Sequence, residues 1–228
     1  MTISAGNEQE RVQTLLVGTH WTSSVLVAIA AATACGVGLR EAADGLASVP
    51  PYQGRMCPET LPNGVVVLRD DFNGSIDGFH RAIDVMRNAR AERRILVMTD
   101  CSDFGKNPRK RLNYYARLAH ETAEMVVFIG ERCEYGVARA VREGMDPGQA
   151  HGYFRLEEAA EFLKQEARLG DLILLRGRGT DHVARVYFRM LGSVQCTRVK
   201  CSLMMLCDRC PKLGFEPETS HTTRPVAV

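Results

Sequence analysis

Four cysteines crowd the region after residue 195 in the pattern Cys196-x4-Cys201-x5-Cys207-x2-Cys210. A C-x2-C pair lets two thiolates reach one ion from a single turn, and the upstream pair would complete a tetrahedral four-sulfur shell of the structural zinc type. Leu203, Met204, Met205 and Leu206 would supply a small apolar lid over such a site. Free or oxidised thiols and an iron–sulfur cluster are the other chemistries the spacing admits. His221 lies too far along the chain to count as a ligand. The remaining cysteines, Cys35, Cys57, Cys101 and Cys133, are scattered singly. Scattered thiols plus one tight cluster read as a reduced, cytoplasmic chain with a metal site, and not as a disulfide framework.

A second chemical signal lies in three polar loops, each following a short apolar run. Val65–Leu68 leads into Arg69-Asp70-Asp71-Phe72-Asn73-Gly74-Ser75, Ile95–Met98 into Thr99-Asp100-Cys101-Ser102-Asp103, and Leu172–Leu175 into Arg176-Gly177-Arg178-Gly179. Carboxylates in the first two loops could hold ribose hydroxyls or orient a cation. Guanidinium groups in the third suit a carboxylate or phosphate, with glycines that let a ligand approach the backbone. The plain alternative is that one arginine pairs with Asp100 or Asp103 across the sheet edge. Lys106, Arg109, Lys110 and Arg111 read as a solvated face before an anion site, and Tyr114-Tyr115 as packing. Trp21 could equally serve a purine or the core.

The elements that would position these loops follow from periodicity. Four runs, Val65–Leu68, Ile95–Met98, Met125–Ile129 and Leu172–Leu175, are apolar throughout, as expected of strands buried on both faces of a parallel sheet. Amphipathic segments over Asp77–Ala91, Pro108–Thr122, Val137–Glu143, Leu156–Arg168 and His182–Leu191 predict the covering helices, and Asn107-Pro108 predicts a capped helix start. His151–Phe154 is a weaker strand. The alternation predicts a doubly wound α/β domain with its ligands at the carboxyl ends of the strands. Upstream, Thr22–Cys35 predicts a buried helix and Leu39–Ala47 a short one, stopped by Pro50-Pro51.

Composition sets the outer limits. The 228 residues carry 29 Lys+Arg against 27 Asp+Glu, too even a balance for an obligate nucleic-acid binder. No apolar run approaches the length of a membrane span, and mean hydropathy is −0.15. The polar start MTISAGNEQERVQ gives no reason to expect an export signal.

Read in order, the motifs resemble those of the Mur ligases, most closely the type that adds D-alanyl-D-alanine to a UDP-N-acetylmuramoyl-tripeptide. Gly18-Thr19-His20 before an Ala-rich helix is similar to the family's G-x-H-N-x-x-N-x-L-A-A, and Gly54-Arg55-Met56 resembles its G-R-x-E. Val67–Asp77 resembles I-I-D-D-S-Y-N-A-N-P-D, Thr99–Gly105 resembles G-D-M-L-E-L-G, and Gly170–Gly177 resembles G-D-x-x-L-x-K-G. The resemblance implies a layout of 1–50 as the end of a central ATPase domain and 51–191 as a Rossmann-like C-terminal domain with helices on both faces of a mostly parallel sheet; outside it, 192–215 reads as an added four-cysteine zinc module and 216–228 as a disordered tail.

The resemblance also implies the chemistry. In that family ATP, with Mg2+, converts a carboxylate into an acyl phosphate that an amine attacks, giving an amide in peptidoglycan synthesis. By motif position Arg55 would face the nucleotide phosphates, Asp70 its ribose, with Asn73 beside it, and His20 the adenine side. Asp100, Arg176 and Arg178 would lie near the incoming amino-acid or peptide substrate. Several positions depart from the pattern: Trp21 and Ser24 replace asparagines, Cys57 an acid, and Arg176-Gly177-Arg178 the K-G-S element. No G-x-x-x-x-G-K-[ST] cradle for a γ-phosphate occurs in the sequence. The expectation is therefore the C-terminal part of a ligase that works with an ATPase half on another polypeptide or missing from this chain. The alternative is a non-catalytic Rossmann-like scaffold whose zinc module contacts a partner.

Overall fold

The computed structural model describes residues 1–99, 107–199, 201–203 and 205–218. They fall into two units, one spanning 1–52 and the other beginning at Gln53.

The first unit opens with a hairpin that the polar N-terminal sequence does not announce. Strands β1 (Thr2–Ala5) and β2 (Glu8–Arg11) pair antiparallel across a turn whose Gly6 has φ +59°. A glycine takes that left-handed backbone without the steric cost of a Cβ. Helices α1 (Thr22–Ala34) and α2 (Leu39–Ala47) follow, and Ile3, Val12, Val25, Ile29, Leu39 and Ala43 form the shared core. The expected burial of the Ala-rich helix is corrected here. Its apolar residues run all round, yet only Val25 and Ile29 are buried, while Leu26 is 44 % and Val27 68 % exposed.

The second unit contains strands β3 (Cys57–Thr60), β4 (Val66–Asp70), β5 (Arg93–Thr99), β6 (Met125–Ile129), β7 (Ala150–Tyr153) and β8 (Asp171–Arg176). They form one sheet in the order β3-β4-β8-β5-β6-β7, parallel except for β3. Helices α3 (Ile76–Asn88), α4 (Pro108–His120), α5 (Cys133–Arg142), α6 (Leu156–Glu166) and α7 (Ala184–Leu191) connect and cover it. Side chains alternate across a strand. Val67, Ile95, Val97, Val127, Ile173 and Leu175 accordingly meet Leu163 of α6 and Val186 and Met190 of α7 on one face. On the other face Phe128 lies so close to Gly136 of α5 that a Cβ there would come within 2.6 Å of its ring. That contact explains a glycine inside a helix. Phe79 of α3 and Tyr115 of α4 pack with ring centroids 4.4 Å apart.

Boundaries differ from the periodicity where a local contact decides. Helix α3 ends at Asn88 and not at Ala91, because the Arg94 guanidinium takes the last-turn carbonyls of Met86 (2.9 Å) and Ala89 (3.1 Å). Helix α7 starts at Ala184 because His182 holds the left-handed conformation, φ 53°. Asn107 caps α4 as its sequence predicts, accepting from the Arg109 amide at 2.9 Å.

Beyond α7 the chain folds back as an extension. Strands β9 (Gly192–Val194) and β10 (Phe215–Pro217) pair antiparallel, and Cys207–Arg209 forms one 3-10 turn. Here the metal expectation is corrected. Among the described residues no three His, Cys, Asp or Glu side chains stand together closely enough to hold a metal ion. Cys207 turns into a small core with Ala184, Val194 and Leu213, its Sγ 3.3 Å from Nδ1 of His182, and burial pushes its thiol up to about 12. Cys196 and Cys210 pack beside that core, and Cys196 Sγ lies 3.7 Å from the Arg185 guanidinium. Cys196, Cys201, Cys207 and Cys210 are thus not gathered into a four-sulfur shell among the described residues. No helix of the described residues is long and apolar enough to cross a membrane.

Candidate functional site

The parallel register that carries Asp70 at the end of β4 sets it opposite Arg176 at the end of β8. The two form an ion pair, and Arg176 also donates to the Ser75 carbonyl at 2.7 Å, leaving the arginine 1 % exposed. Burial pushes the Asp70 carboxyl above the ordinary carboxylate range, with the Arg176 charge pulling it back. The α3 residue beside the pair is Gly78, where a Cβ would come within 2.7 Å of the guanidinium. The expected ribose carboxylate and the expected substrate guanidinium thus neutralise one another below the surface.

The open space lies one step along the same sheet edge. A pocket of about 330 Å³ is bounded by Thr99 at the end of β5, Gly130 and Glu131 after β6, Phe154 to Glu157 after β7, and Arg178, Thr180 and Asp181 after β8. Arg185 of α7 and Arg198, Val199 and Cys201 of the extension complete the lining. The carboxyl-edge position is where open α/β sheets bind ligands. Among the described residues Arg178 is the one sequence-assigned substrate residue that lines it, and its guanidinium forks onto Asp181 at 3.0 and 2.6 Å. Asp181 also accepts from the Thr99 hydroxyl (2.7 Å) and the Arg178 amide (3.0 Å). Glu157 is surrounded by arginines: Arg155 donates to its Oε2 at 3.5 Å, and its buried Oε1 faces guanidinium nitrogens of Arg185 at 3.8 Å and Arg189 at 3.7 Å.

Other assigned residues disperse. Arg55 is half-buried with its guanidinium 4.6 Å above the Phe72 ring, and Asn73 is exposed on the loop after β4. His20 belongs to the first unit, in the turn Thr19–Trp21, its ring 5.2 Å from that of Trp21. Asp100 lies outside the described residues. With Asp70 engaged by Arg176, only Arg55 and Asn73 of the assigned nucleotide set remain available in the second unit, so these residues do not by themselves fit ATP. The sequence reading missed Glu131, Glu157, Arg185 and Arg198. Glu131 follows β6 and Glu157 opens α6 just after β7, so the strand-end rule that found the other loops applied to them as well.

Comparison with known proteins agrees with this architecture. The chain is 29% identical over 179 residues to the UDP-N-acetylmuramoyl-L-alanyl-D-glutamate--2,6-diaminopimelate ligase of Geobacillus thermodenitrificans, covering 75% of this chain and 35% of that one. The enzyme of the same name from Chromobacterium violaceum is 29% identical over 178 residues, with the same coverage. Among solved structures, MurF from Acinetobacter baumannii superposes with a TM-score of 0.72 at 18% identity, over 83% of this chain and 41% of that one. The MurF ligase from Thermotoga maritima in complex with ADP superposes at 0.64 and 13% identity, over 80% and 40%. These likenesses show a shared fold, and the chain spans about a third of the length of the curated relatives. The relatives by sequence carry the diaminopimelate name, so they do not single out the D-alanyl-D-alanine-adding type. Residues 54–179, more than half of the sequence, match the Mur ligase, glutamate ligase domain, and the chain belongs to the Mur ligase family.

Proposed function

We propose that this chain is the amine-receiving C-terminal part of an ATP-dependent Mur-type ligase, joining an amino acid or peptide amine to a carboxylate activated as an acyl phosphate. The observation that carries this reading is the pocket at the carboxyl ends of β5 to β8, where guanidinium groups and carboxylates alternate around a space of amino-acid size. A zwitterion needs both charges answered. Glu157 lines the pocket with a carboxylate that answers the amine, while Asp181, held by Thr99 and Arg178, forms a rigid acidic wall. In the reaction the bound ammonium first gives up one proton, the amine nitrogen then bonds to the acyl carbon, the carbon–oxygen bond to phosphate breaks with its electrons leaving on phosphate, and a second proton leaves the nitrogen. The pocket's contribution is to hold and orient that nitrogen, which lowers the entropic part of the barrier.

Activation belongs to an ATPase module on another polypeptide or in a longer chain, because the residues here do not fit the nucleotide. The exposed apolar side of α1 supports such a partner, since a helix apolar all round is ordinarily buried. Reconstitution with the polypeptide that carries the P-loop tests the reading. Amide formation should require both components, and Glu157→Gln should lower kcat/KM for the amine by about tenfold, the value of one charged hydrogen bond. Amide formation insensitive to Glu157→Gln would move the amine out of this pocket.

A further inference from the structure

The match to the Mur ligase domain ends at residue 179, yet the pocket is lined as far as Cys201. The extension reaches the pocket because buried arginines fasten its backbone. Arg69, 1 % exposed, donates to Asp208 at 2.6 and 2.8 Å and to Asp71 at 3.1 Å. Arg185, 2 % exposed, donates to the Arg198 carbonyl at 2.6 Å and to the Cys196 carbonyl at 3.4 Å, and Arg189 donates to the Val194 carbonyl at 3.0 Å. Phe215 packs on Phe188 with ring centroids 5.1 Å apart. Residue 198 is thus fixed by its own carbonyl at the pocket wall while its side chain stays exposed.

The cations of the pocket differ in how far they are already answered. Arg178 is forked onto Asp181, Arg155 lies 3.5 Å from Glu157, and Arg185 is occupied by backbone carbonyls. Among the described residues the Arg198 guanidinium makes no hydrogen bond or ion pair. We infer that the extension is the carboxylate-recognising wall of the amine pocket, with Arg198 holding the carboxylate of the incoming amino acid or peptide. The inference rests on the amine-pocket reading above and adds to it a specificity residue outside the family domain. Guanidinium is the fitting group, since its planar fork can meet both carboxylate oxygens.

The test uses the whole chain and ligand-observed NMR with a panel of proteinogenic amino acids, D-alanyl-D-alanine and 2,6-diaminopimelate. The tightest binder is then titrated beside its own carboxamide, which keeps the amine and removes the negative charge. Wild type should prefer the carboxylate by about tenfold, Arg198→Ala should lose that preference while binding the carboxamide unchanged, and Arg198→Lys should restore part of it. A preference that survives Arg198→Ala overturns the assignment of Arg198 and leaves the amine pocket standing. Binding of no member of the panel to wild type overturns both. Because the Arg198 side chain is exposed and unpaired, the substitutions leave the wall in place, and unchanged circular dichroism checks this.

Discussion

In the sheet, Val67, Ile95, Val97, Val127 and Ile173 are wholly buried between helices, and the region is held by removing apolar surface from water. The extension has a buried apolar core of only four residues, Ala184, Val194, Cys207 and Leu213. What holds it is a set of charged and polar grips: Arg69 on Asp208, Arg185 and Arg189 on backbone carbonyls, and His182 beside Cys207. Apolar burial is non-directional and tolerates small shifts, whereas a forked ion pair specifies position and fails when one partner goes. A segment that must present one side chain at a pocket wall gains from the second kind of attachment.

The sharpest way to break this comparison is to cut each region at its own kind of contact. Ile173→Ala removes a fully buried side chain from the centre of the sheet and should cost about 3 kcal/mol of global stability, read as a lower denaturant midpoint. Asp208→Ala should cost about 2 kcal/mol in the extension alone, because Arg69 keeps Asp71 but loses two charged hydrogen bonds. Hydrogen exchange should then rise over 192–217 while β4, β5 and β8 stay protected. Equal loosening of both regions by Asp208→Ala would show that the extension is integral to the sheet's cooperativity.

These contacts also show what was legible beforehand. The four apolar runs announced β4, β5, β6 and β8, because a strand covered on both faces cannot hide its composition. Edge strand β3 and the two hairpins were not legible. Cys57-Pro58-Glu59-Thr60 reads as a loop and becomes a strand only by pairing with β4. At the site, Arg176 and Arg178 are two residues apart in the sequence, and which of them lines the pocket depends on the β4–β8 register that brings Asp70 to Arg176. Cysteine spacing told how far the thiols could reach and not which way they turn. Cys207 faces a histidine twenty-five residues upstream, which no spacing rule within 196–210 could supply.

Acid provides a finer probe of the same difference. Burial and the Arg185 charge hold the His182 imidazole below its ordinary 6.5, against the opposing Cys201 carbonyl, Asp181 and Asp71. A histidine whose folded value is depressed contributes stability above 6.5 that is lost as pH falls toward that folded value. Asp208, where burial is outweighed by Arg69, lies below 3.8, so its contribution is lost only at still lower pH. Asp70 and Asp71 are raised by burial and carry the opposite sign, gaining stability on acidification. NMR should therefore show His182 titrating below 6.5, with the methyl shifts of Leu213 following it and those of Ile173 unmoved. Leu213 shifts that ignore the His182 titration would place the histidine outside the forces that dock the extension.

The smallest effect belongs to the grip that most resembles Arg69–Asp208 on paper. Lys164 of α6 and Glu218, just past β10, form a direct ion pair that also ties the extension to the domain. Their side chains are 37 % and 65 % exposed, against 2 % and 9 % for Arg69 and Asp208. Water screens the exposed pair, and ordering two long side chains costs entropy that the attraction barely offsets, so such pairs are worth about 0.5 kcal/mol or less. Lys164→Met should leave exchange over 192–217 within error of wild type and should be indifferent to salt. The Arg69 pair, shielded from solvent, should hold the extension even at high ionic strength. Salt-induced release of the extension, matched by Lys164→Met at low salt, would transfer the anchoring role from the buried arginine to the surface lysine.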